Sequence, residues 1–533
     1  MATFPSDNGP SLRKDGRGTD TGRPPFRSVL IANRGEIAIR VMRACHELGV
    51  EAIAVFSDAD ADALHVRVAD RAERIGPAAA ADSYLSIQSV IDAARRSGAE
   101  AIHPGYGFLS ENAAFARAVD EAGLVFIGPP AATLDALGDK LAARRSVAAA
   151  GVPIVPGLLV PLVAGPDGRV AAADLAGIGF PALLKAAAGG GGRGMRRVDG
   201  PEQIGPALEG AGREALAAFG DGTLYLEQLV APARHVEVQL LGDRHGTLAV
   251  LGERECSVQR RHQKLVEESP SPAVTPSIRE QLAESARRVA GTVAFHNAAT
   301  VEFLLDDAGN HYFLEMNTRL QVEHGVTELV TGIDLVAWQI RVAAGDRLPE
   351  SVVRAASRGH AIEARVYAED PHRAFGPVAG TVTTWRLPTG PGVRVDAGVA
   401  ADTPLPIEYD PLLAKVMVHA ADRPAAIARL RRALDETLIG GVQTDLSFLR
   451  WLVEEPSFVA GAYDTGLVAE RWGSGPPLSD DERSLAALAA QEARTRAREA
   501  TPAASQPVGD RRSGDRDWAI QARREAIARR RPT

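Results

Sequence analysis

Glu302 and Glu315 stand on two apolar runs joined by turn residues, an arrangement that sets two carboxylates against each other. Thr300-Val301-Glu302-Phe303-Leu304-Leu305 reads as a strand, Asp306–Asn310 supplies turn chemistry, and His311-Tyr312-Phe313-Leu314-Glu315-Met316-Asn317 reads as the returning strand. A loop of Asp307 to Asn310, with Asp306 paired to His311, places Glu302 opposite Glu315 and puts Asn317 on the face of Glu315. Facing carboxylates repel. A divalent cation removes that cost, and a few carboxylate and amide oxygens suit Mg²⁺ (or Mn²⁺) that also holds substrate phosphates. The bland alternative is a solvated polar face; Val301, Phe303, Leu314 and Met316, which would bury the opposite face, argue against it. The alternation is expected to run on unbroken, so that Arg319, Gln321 and Glu323 line the same edge. Arg319 could hold a small planar anion bidentately, and Glu323 could act as a base. A structural Arg319–Glu323 ion pair is the plain alternative.

Two further segments carry phosphate-like chemistry. Ala182-Leu183-Leu184-Lys185 reads as a strand and is followed by a glycine cluster at 189–194. Glycines let backbone N–H groups approach phosphate oxygens, and Lys185 is placed to neutralise them. The cluster has neither the Gly-Lys-Ser/Thr of a Walker loop nor the spacing of a dinucleotide fingerprint, and by itself it could be a flexible linker. Residues 253–268 are dense in polar function, with Arg260, Arg261, His262 and Lys264 available to anions; a surface charge run reads the same way. Cys256 and His262 do not form a persuasive nucleophilic pair, since no acyl-transfer oxyanion motif accompanies them. The lysines add a hint: only Lys14, Lys140, Lys185, Lys264 and Lys415 are lysines among the 60 basic residues. Where a chain writes its positive charges as arginine, a lysine marks a site that needs a compact point charge, or chance.

These side chains need a scaffold of several domains, because 533 residues exceed one compact core. Ser28–Ala32 and Glu51–Phe56 read as buried strands around a helix from Glu36 to Leu48, a βαβ rhythm that predicts a parallel α/β domain over 26–139. Ser110 is the expected N-cap of the helix that follows His103–Asn112. Mixed α/β pattern covers 140–355, short strands dominate 356–470 with helices near 424–436 and 444–454, and 471–533 is a polar tail with a helix expected over about 480–500 after Ser479 and another near Trp518. Residues 1–25 lack the apolar stretch of a secretory signal and are expected to be disordered. No 18-residue apolar run suggests a membrane span, a net charge of −8 argues against nucleic acid, and two cysteines fit a reducing cytoplasm.

Ile31–Ala38, His103–Asn112, Gly138–Lys140, Lys185–Met195, Arg254–Glu268, Val301–His324, Gly359–Arg365 and Tyr409–Pro411 together resemble the biotin carboxylase family of ATP-grasp enzymes, in its order and spacing, over about residues 26–470. The resemblance implies an N-terminal parallel α/β domain, an ATP-grasp domain with a mobile lid at about 155–230, and a C-terminal β-rich domain. It implies that Lys140 and Lys185 bind ATP phosphates beneath Gly191 and Gly192, and that Glu227, Gln228, Leu229 and Val230 form the adenine-contacting hinge. His235, Gln259, His262 and Leu304 then line the nucleotide pocket, and Glu302, Glu315 and Asn317 hold the metal. Lys264, Arg319, Gln321 and Val322 surround bicarbonate, Glu323 is the general base, and Arg365 steadies the enolate of biotin. The implied reaction is the first half-reaction of an acyl-CoA carboxylase, through carboxyphosphate. Biotin would sit on a separate biotin carboxyl carrier protein, with carboxyltransferase subunits as further partners and a homodimer as the assembly. No lysine follows Lys415, so a biotinyl domain is not expected in 416–533. Three departures are visible: Gly325 where the family commonly has proline, which would loosen the loop carrying Glu323; Ala188 in a glycine place; and Gln228 in place of a lysine. Another ATP-grasp ligase that makes an acyl-phosphate, and a silent nucleotide-binding regulatory subunit, remain the alternatives.

Overall fold

Ser28–Ile31 (β1) is buried along its whole length, as an apolar run in a parallel sheet requires. It pairs in parallel with Glu51–Ser57 (β2) on one side and Ala101–His103 (β4) on the other. Arg71–Gly76 (β3) and Val125–Phe126 (β5) complete a five-stranded sheet of order β3-β2-β1-β4-β5. The helix Gly35–Glu47 buries Ile37, Val41 and Met42 against that sheet, beginning where Gly35 takes a positive φ of 64°. The next cap differs from expectation. Asn112, not Ser110, caps the helix Ala113–Glu121 by accepting from Phe115 N–H, because Ser110 still lies inside the preceding turn. The computed structural model describes residues 24–162, 177–188 and 195–473, with Leu175, Gly475 and Gln491 besides. The expected N-terminal disorder, the glycines at 189–194 and the expected helices near 480–500 and Trp518 lie outside these residues, Gln491 apart.

Two other sheets frame the site. Ala182–Ala186 (β6), Arg196–Val198 (β7) and Leu224–Gln228 (β8) form a small sheet of order β7-β6-β8, covered by the helix Ile204–Phe219. The larger sheet contains Arg234–Gly242 (β9), Leu248–Arg260 (β10), Gln263–Ser269 (β11), Asn297–Leu305 (β12), His311–Asn317 (β13) and His360–Tyr367 (β14). After β14 come the short strands Glu369–Asp370 (β15), Gly376–Pro377 (β16), Gly380–Val382 (β17) and Thr384–Arg386 (β18). Val393–Ala397 (β19), Thr403–Leu405 (β20), Leu412–Ala420 (β21) and Leu438–Gly440 (β22) follow. The large sheet is antiparallel, eight strands in the order β13-β12-β9-β10-β11-β14-β21-β19. The C-terminal strands β14, β21 and β19 therefore extend the sheet of the central region rather than starting another. Their core is shared too: Val258, Leu265 and Val266 pack with Ile362, Val416 and Val418, and with Ile427 and Leu430 of the helix Arg423–Glu436.

The join between β11 and β14 is fastened by one buried carboxylate. Glu268 accepts from Arg423 Nε at 2.7 Å and Nη2 at 2.9 Å, lies 2.5 Å from His360 Nε2, and accepts from Tyr463 Oη. Burial alone would raise its pKa, but the bonds from His360 and Arg423 hold it down to about 2. Replacing it by Glu268→Gln leaves the half-buried Arg423 guanidinium short of its counter-charge, a loss of about 1–3 kcal/mol, expected as a lowered denaturation midpoint at pH 7. Since the folded carboxyl titrates below the unfolded one, this stability is complete above about pH 4.3 and fades as the pH falls toward the folded value. The gap between wild type and variant should narrow over that window; a gap that stays constant into the acid range contradicts the assignment.

Candidate active site

The site is built on a row of charges running across four neighbouring strands. Glu315 on β13 faces Glu302 on β12, Glu302 faces Glu237 on β9, and Glu237 faces Arg254 on β10. The expected pairing of Glu302 with Glu315 is present, but by another route. The hairpin closes one residue earlier, at Leu305–His311, with Asp306 capping the turn: Gly309 N–H donates to its carbonyl and Asn310 N–H to its carboxylate. An irregularity between Glu302 and Phe303 then restores the register. As a result Phe313, not Leu314, enters the core beside Val301, Phe303 and Met316, and Leu314 is only half-buried.

Three carboxylates in a row would repel, and cations beside them hold them. Lys264 Nζ donates to Glu237 Oε2 at 2.6 Å, Glu302 Oε1 at 3.0 Å and Glu323 Oε1 at 2.6 Å. Lys140 donates to Glu315 Oε2 at 2.8 Å from the start of the helix Lys140–Ala149, where Asp139 is the cap. His235 Nε2 lies 2.9 Å from Glu302 Oε2, and Asn317 and Gln321 donate to Glu302 Oε1 at 2.9 and 3.2 Å. Arg254, fully buried, binds Glu237, Gln239 and the hydroxyls of Thr300 and Thr327. Burial would push the Glu302 carboxyl up, but Lys264 and His235 outweigh it and hold it far below the usual range.

Beyond Asn317 the expected unbroken alternation fails: β13 ends there, and residues 318–323 form a loop leading into the helix His324–Thr331. The loop nevertheless returns Arg319, Gln321 and Glu323 to the site. The alternative Arg319–Glu323 ion pair is not what forms. Arg319 Nε donates to Glu111 at 2.8 Å, with Nη1 on Gln321 Oε1 at 2.9 Å and Nη2 on Asn317 Oδ1 at 3.1 Å. Glu323 lies fully buried between two other cations, Lys264 and Arg365, whose Nη2 reaches Glu323 Oε2 at 2.9 Å. Burial would raise the Glu323 pKa; Lys264, Arg365 and Arg254 together hold it well below the ordinary value. Arg365 also contacts Glu267 at 2.5 Å, and burial pushes the Glu267 carboxyl up to about 7. Gly325, where a looser loop was expected, lies at the start of the helix that follows Glu323. It is buried in the first helical turn, where an added Cβ would collide with Met417 Sδ.

At the other end, Lys185 Nζ donates to Glu227 Oε2 at 2.6 Å, and Arg144 reaches Glu227 Oε1 at 2.7 Å. The Glu227 carboxylate is thus engaged within the chain. Gln228, Leu229 and Val230 follow half-buried, with the N–H groups of Gln228 and Leu229 donated to the carbonyls of Pro156 and Pro181. Gln259 is buried near the end of β10, and Leu304 is half-buried on β12 beside His235, its register partner on β9. His262 sits in the tight turn between β10 and β11 at φ 68°; burial, with Lys185, His235 and Lys140 nearby, lowers its pKa. Gly191 and Gly192 lie outside the described residues.

Glu237, Arg254, Glu267 and Glu111 were not singled out from the sequence. The signal for Glu237 was present: His235, Glu237 and Gln239 alternate with Val236, Val238 and Leu240 along one strand. Glu302, Glu315 and Asn317 offer the hard oxygen donors that Mg²⁺ takes, and Lys140 sits on the Glu315 carboxylate where a cation's charge is needed. His235, Glu237 and Glu302 also bring ligand atoms within 4.8 Å of one another, but Lys264 already neutralises that group.

Three families match in succession: "Biotin carboxylase, N-terminal domain" over residues 25–134, "Carbamoyl-phosphate synthase L chain, ATP binding domain" over 139–351, and "Biotin carboxylase C-terminal domain" over 363–470. A biotin carboxylase of Halalkalibacterium halodurans is 47% identical over 443 residues, 83% of this chain and 97% of that protein. The mitochondrial methylcrotonoyl-CoA carboxylase subunit alpha of Glycine max is 46% identical over 454 residues, 85% of this chain but 61% of that longer subunit. The biotin carboxylase domain dimer of Hydrogenobacter thermophilus 2-oxoglutarate carboxylase, solved with MgADP, ADP and bicarbonate, superposes with a TM-score of 0.81 at 42% identity, covering 85% of this chain and 99% of that one. With three successive domain matches and such relatives along most of its length, the chain belongs to the biotin carboxylase family of ATP-grasp ligases.

Proposed function

We propose that this chain uses ATP and bicarbonate to carboxylate biotin presented by a separate carrier protein, with the roles distributed as follows. The observation that carries the reading is Glu323, one buried carboxylate gripped by Lys264 on the side of the acid row and by Arg365 on the other. Glu323 takes the bicarbonate proton, and the freed oxygen attacks the γ-phosphoryl group to give carboxyphosphate and ADP. Lys140 and Lys185 meet the phosphates, exchanging Glu315 and Glu227 for them, and Arg319 with Gln321 and the Val322 backbone orients bicarbonate. Mg²⁺, held by Glu302, Glu315 and Asn317, would offset the phosphate charge. Arg365 faces the biotin ureido oxygen and stabilises the charge that develops there.

The described lysines support a biotin that reaches this site from outside the described residues. Lys140, Lys185 and Lys264 are paired with carboxylates, and Lys415 is wholly buried, so none of the four is available for attachment. The carboxyltransferase that consumes carboxybiotin belongs to partner subunits, and the assembly is a homodimer, as in the Hydrogenobacter domain. The relatives act within methylcrotonoyl-CoA, pyruvate and 2-oxoglutarate carboxylases, so the acceptor is left to the partners. No helix among the described residues is long and apolar enough to cross a membrane.

ADP release is the test. Release that requires bicarbonate and rises with free biotin is expected; release without bicarbonate would favour another ATP-grasp ligase, and none at all a silent subunit. Glu323→Gln should slow bicarbonate-dependent ATP cleavage by roughly 10²-fold or more with ATP affinity unchanged, and near-normal turnover would return Glu323 to a structural role. Glu315→Gln should weaken Mg²⁺-dependent turnover in a folded protein; an unaltered Mg²⁺ dependence removes Glu315 from the metal.

The pH profile is a sharper check. In the resting site Lys264 and Arg365 make Glu323 a weak base. An entering anion competes for those cations and should raise its pKa toward a useful range. The acid limb of kcat, which reports the loaded enzyme, is therefore expected at higher pH than that of kcat/KM for bicarbonate, calculated on the bicarbonate ion present at each pH so that it reports the free enzyme. Coincident limbs would contradict this account.

A further inference from the structure

Lys415 has no role in the reaction as described above, yet it is one of the chain's five lysines and is completely buried. It lies on β21, directly opposite Arg365 on β14 and Asp396 on β19, so Lys415 and Arg365 stand side by side on one face of the large sheet. Arg365 grips the Glu323 carboxylate at 2.9 Å. The Lys415 ammonium donates to the carbonyl of Val322, the preceding residue, at 2.7 Å. On its other side it lies 3.2 Å from Glu36 Oε1, in the first turn of the helix Gly35–Glu47, and Glu36 also accepts from Tyr106 Oη. Glu363, Asp396 and Arg394 complete its charged surroundings.

We propose that Lys415 is a positioning residue for the carboxylation reaction: its ammonium pins the Val322 carbonyl to Glu36, and so fixes the backbone that presents the Val322 N–H to bicarbonate and aims Glu323 into the site. This rests on the reading of Glu323 as the base. The physical need is plain. Residues 318–323 form a loop between β13 and a helix, and no strand ladder fixes their backbone. Arg365 and Lys264 hold Glu323 only at its carboxylate, and a side chain gripped at its tip can still pivot about its Cα. A third cation, on the adjoining carbonyl, removes that freedom. An ammonium can do this in a closed slot because its three donors diverge from one point, allowing a carbonyl and a carboxylate to be held together, whereas a guanidinium is a broad planar fork. The proposal also accounts for Gly325, since the β21 side chain two residues on, Met417, fills the space beneath that same turn.

The test is Lys415→Met, which keeps the length and burial of the side chain and removes its donors, assayed in the full-length protein by bicarbonate-dependent ADP release. Backbone misplacement of about 1 Å at a reacting group costs on the order of 10²-fold in kcat, and that fall is expected here. The KM for bicarbonate should rise with it, while the KM for MgATP, bound at the far end of the acid row, should not move. A purely structural role would lower the active fraction and leave both KM values unchanged. Glu36→Gln keeps the lysine but removes its anchor, and should give a smaller change in the same two quantities. A folded Lys415→Met with wild-type kcat and bicarbonate KM overturns the proposal, as does a variant in which both KM values rise together. If Lys415→Met does not fold, wild-type kinetics in Glu36→Gln overturn it instead. Absence of bicarbonate-dependent ADP release from the wild-type protein would fail the carboxylase reading itself, a result distinct from any of these.

Discussion

One ammonium shared by three buried carboxylates is the constraint on which this site depends. Lys264 bonds Glu237, Glu302 and Glu323 at once, and each of those acids would be costly to bury ionised without it. Its position on β11 sets much of the rest. Glu302 and Glu237 of the cross-strand row can be buried only because cations lie along it, and the loop after β13 must fold back so that Glu323 reaches the same ammonium. Such an arrangement contributes little net stability compared with an apolar core, but it holds charges in register for a reaction in which charge moves.

The helix His324–Thr331 is the element that transmits this order. At its start are Glu323 and the pinned Val322 carbonyl. Near its end Glu328 receives Arg40 at 2.9 Å from the first helix and Arg394 at 2.7 Å from β19, while its Oε1 also accepts from Leu335 N–H. Residues from opposite ends of the sequence thus close on both ends of one short helix, and the base-bearing loop is held by long-range contacts rather than by local propensity.

What the sequence reveals of this site divides along the same line. The facing of Glu302 and Glu315 was legible because side-chain alternation in a hairpin is local arithmetic. The compensating irregularity was not, since only the surrounding core decides that Phe313 rather than Leu314 turns inward. Arg319 and Glu323 were recognised as reactive, but their partners Glu111 and Arg365 are distant in the chain, so a neighbouring ion pair was the natural alternative. Asn112 outcompeted Ser110 as a cap because the turn runs two residues further than its composition suggests. Lys415 looked like an ordinary residue in an apolar strand; only its rarity hinted otherwise. The parallel sheet β3-β2-β1-β4-β5 was readable from the βαβ rhythm, whereas the union of β11 with β14 joins segments about a hundred residues apart and leaves no local trace.

That union bears on how such an enzyme can be inherited. Lys264 and Arg365, which grip the same carboxylate, sit on adjacent strands of one ladder. A recombination event near residue 356 would not exchange one module for another; it would cut through hydrogen-bonded neighbours and part the two cations that share Glu323. Descent is then expected to carry the stretch from β1 to the helices packed on β21 as a single block, with novelty arriving by additions outside it.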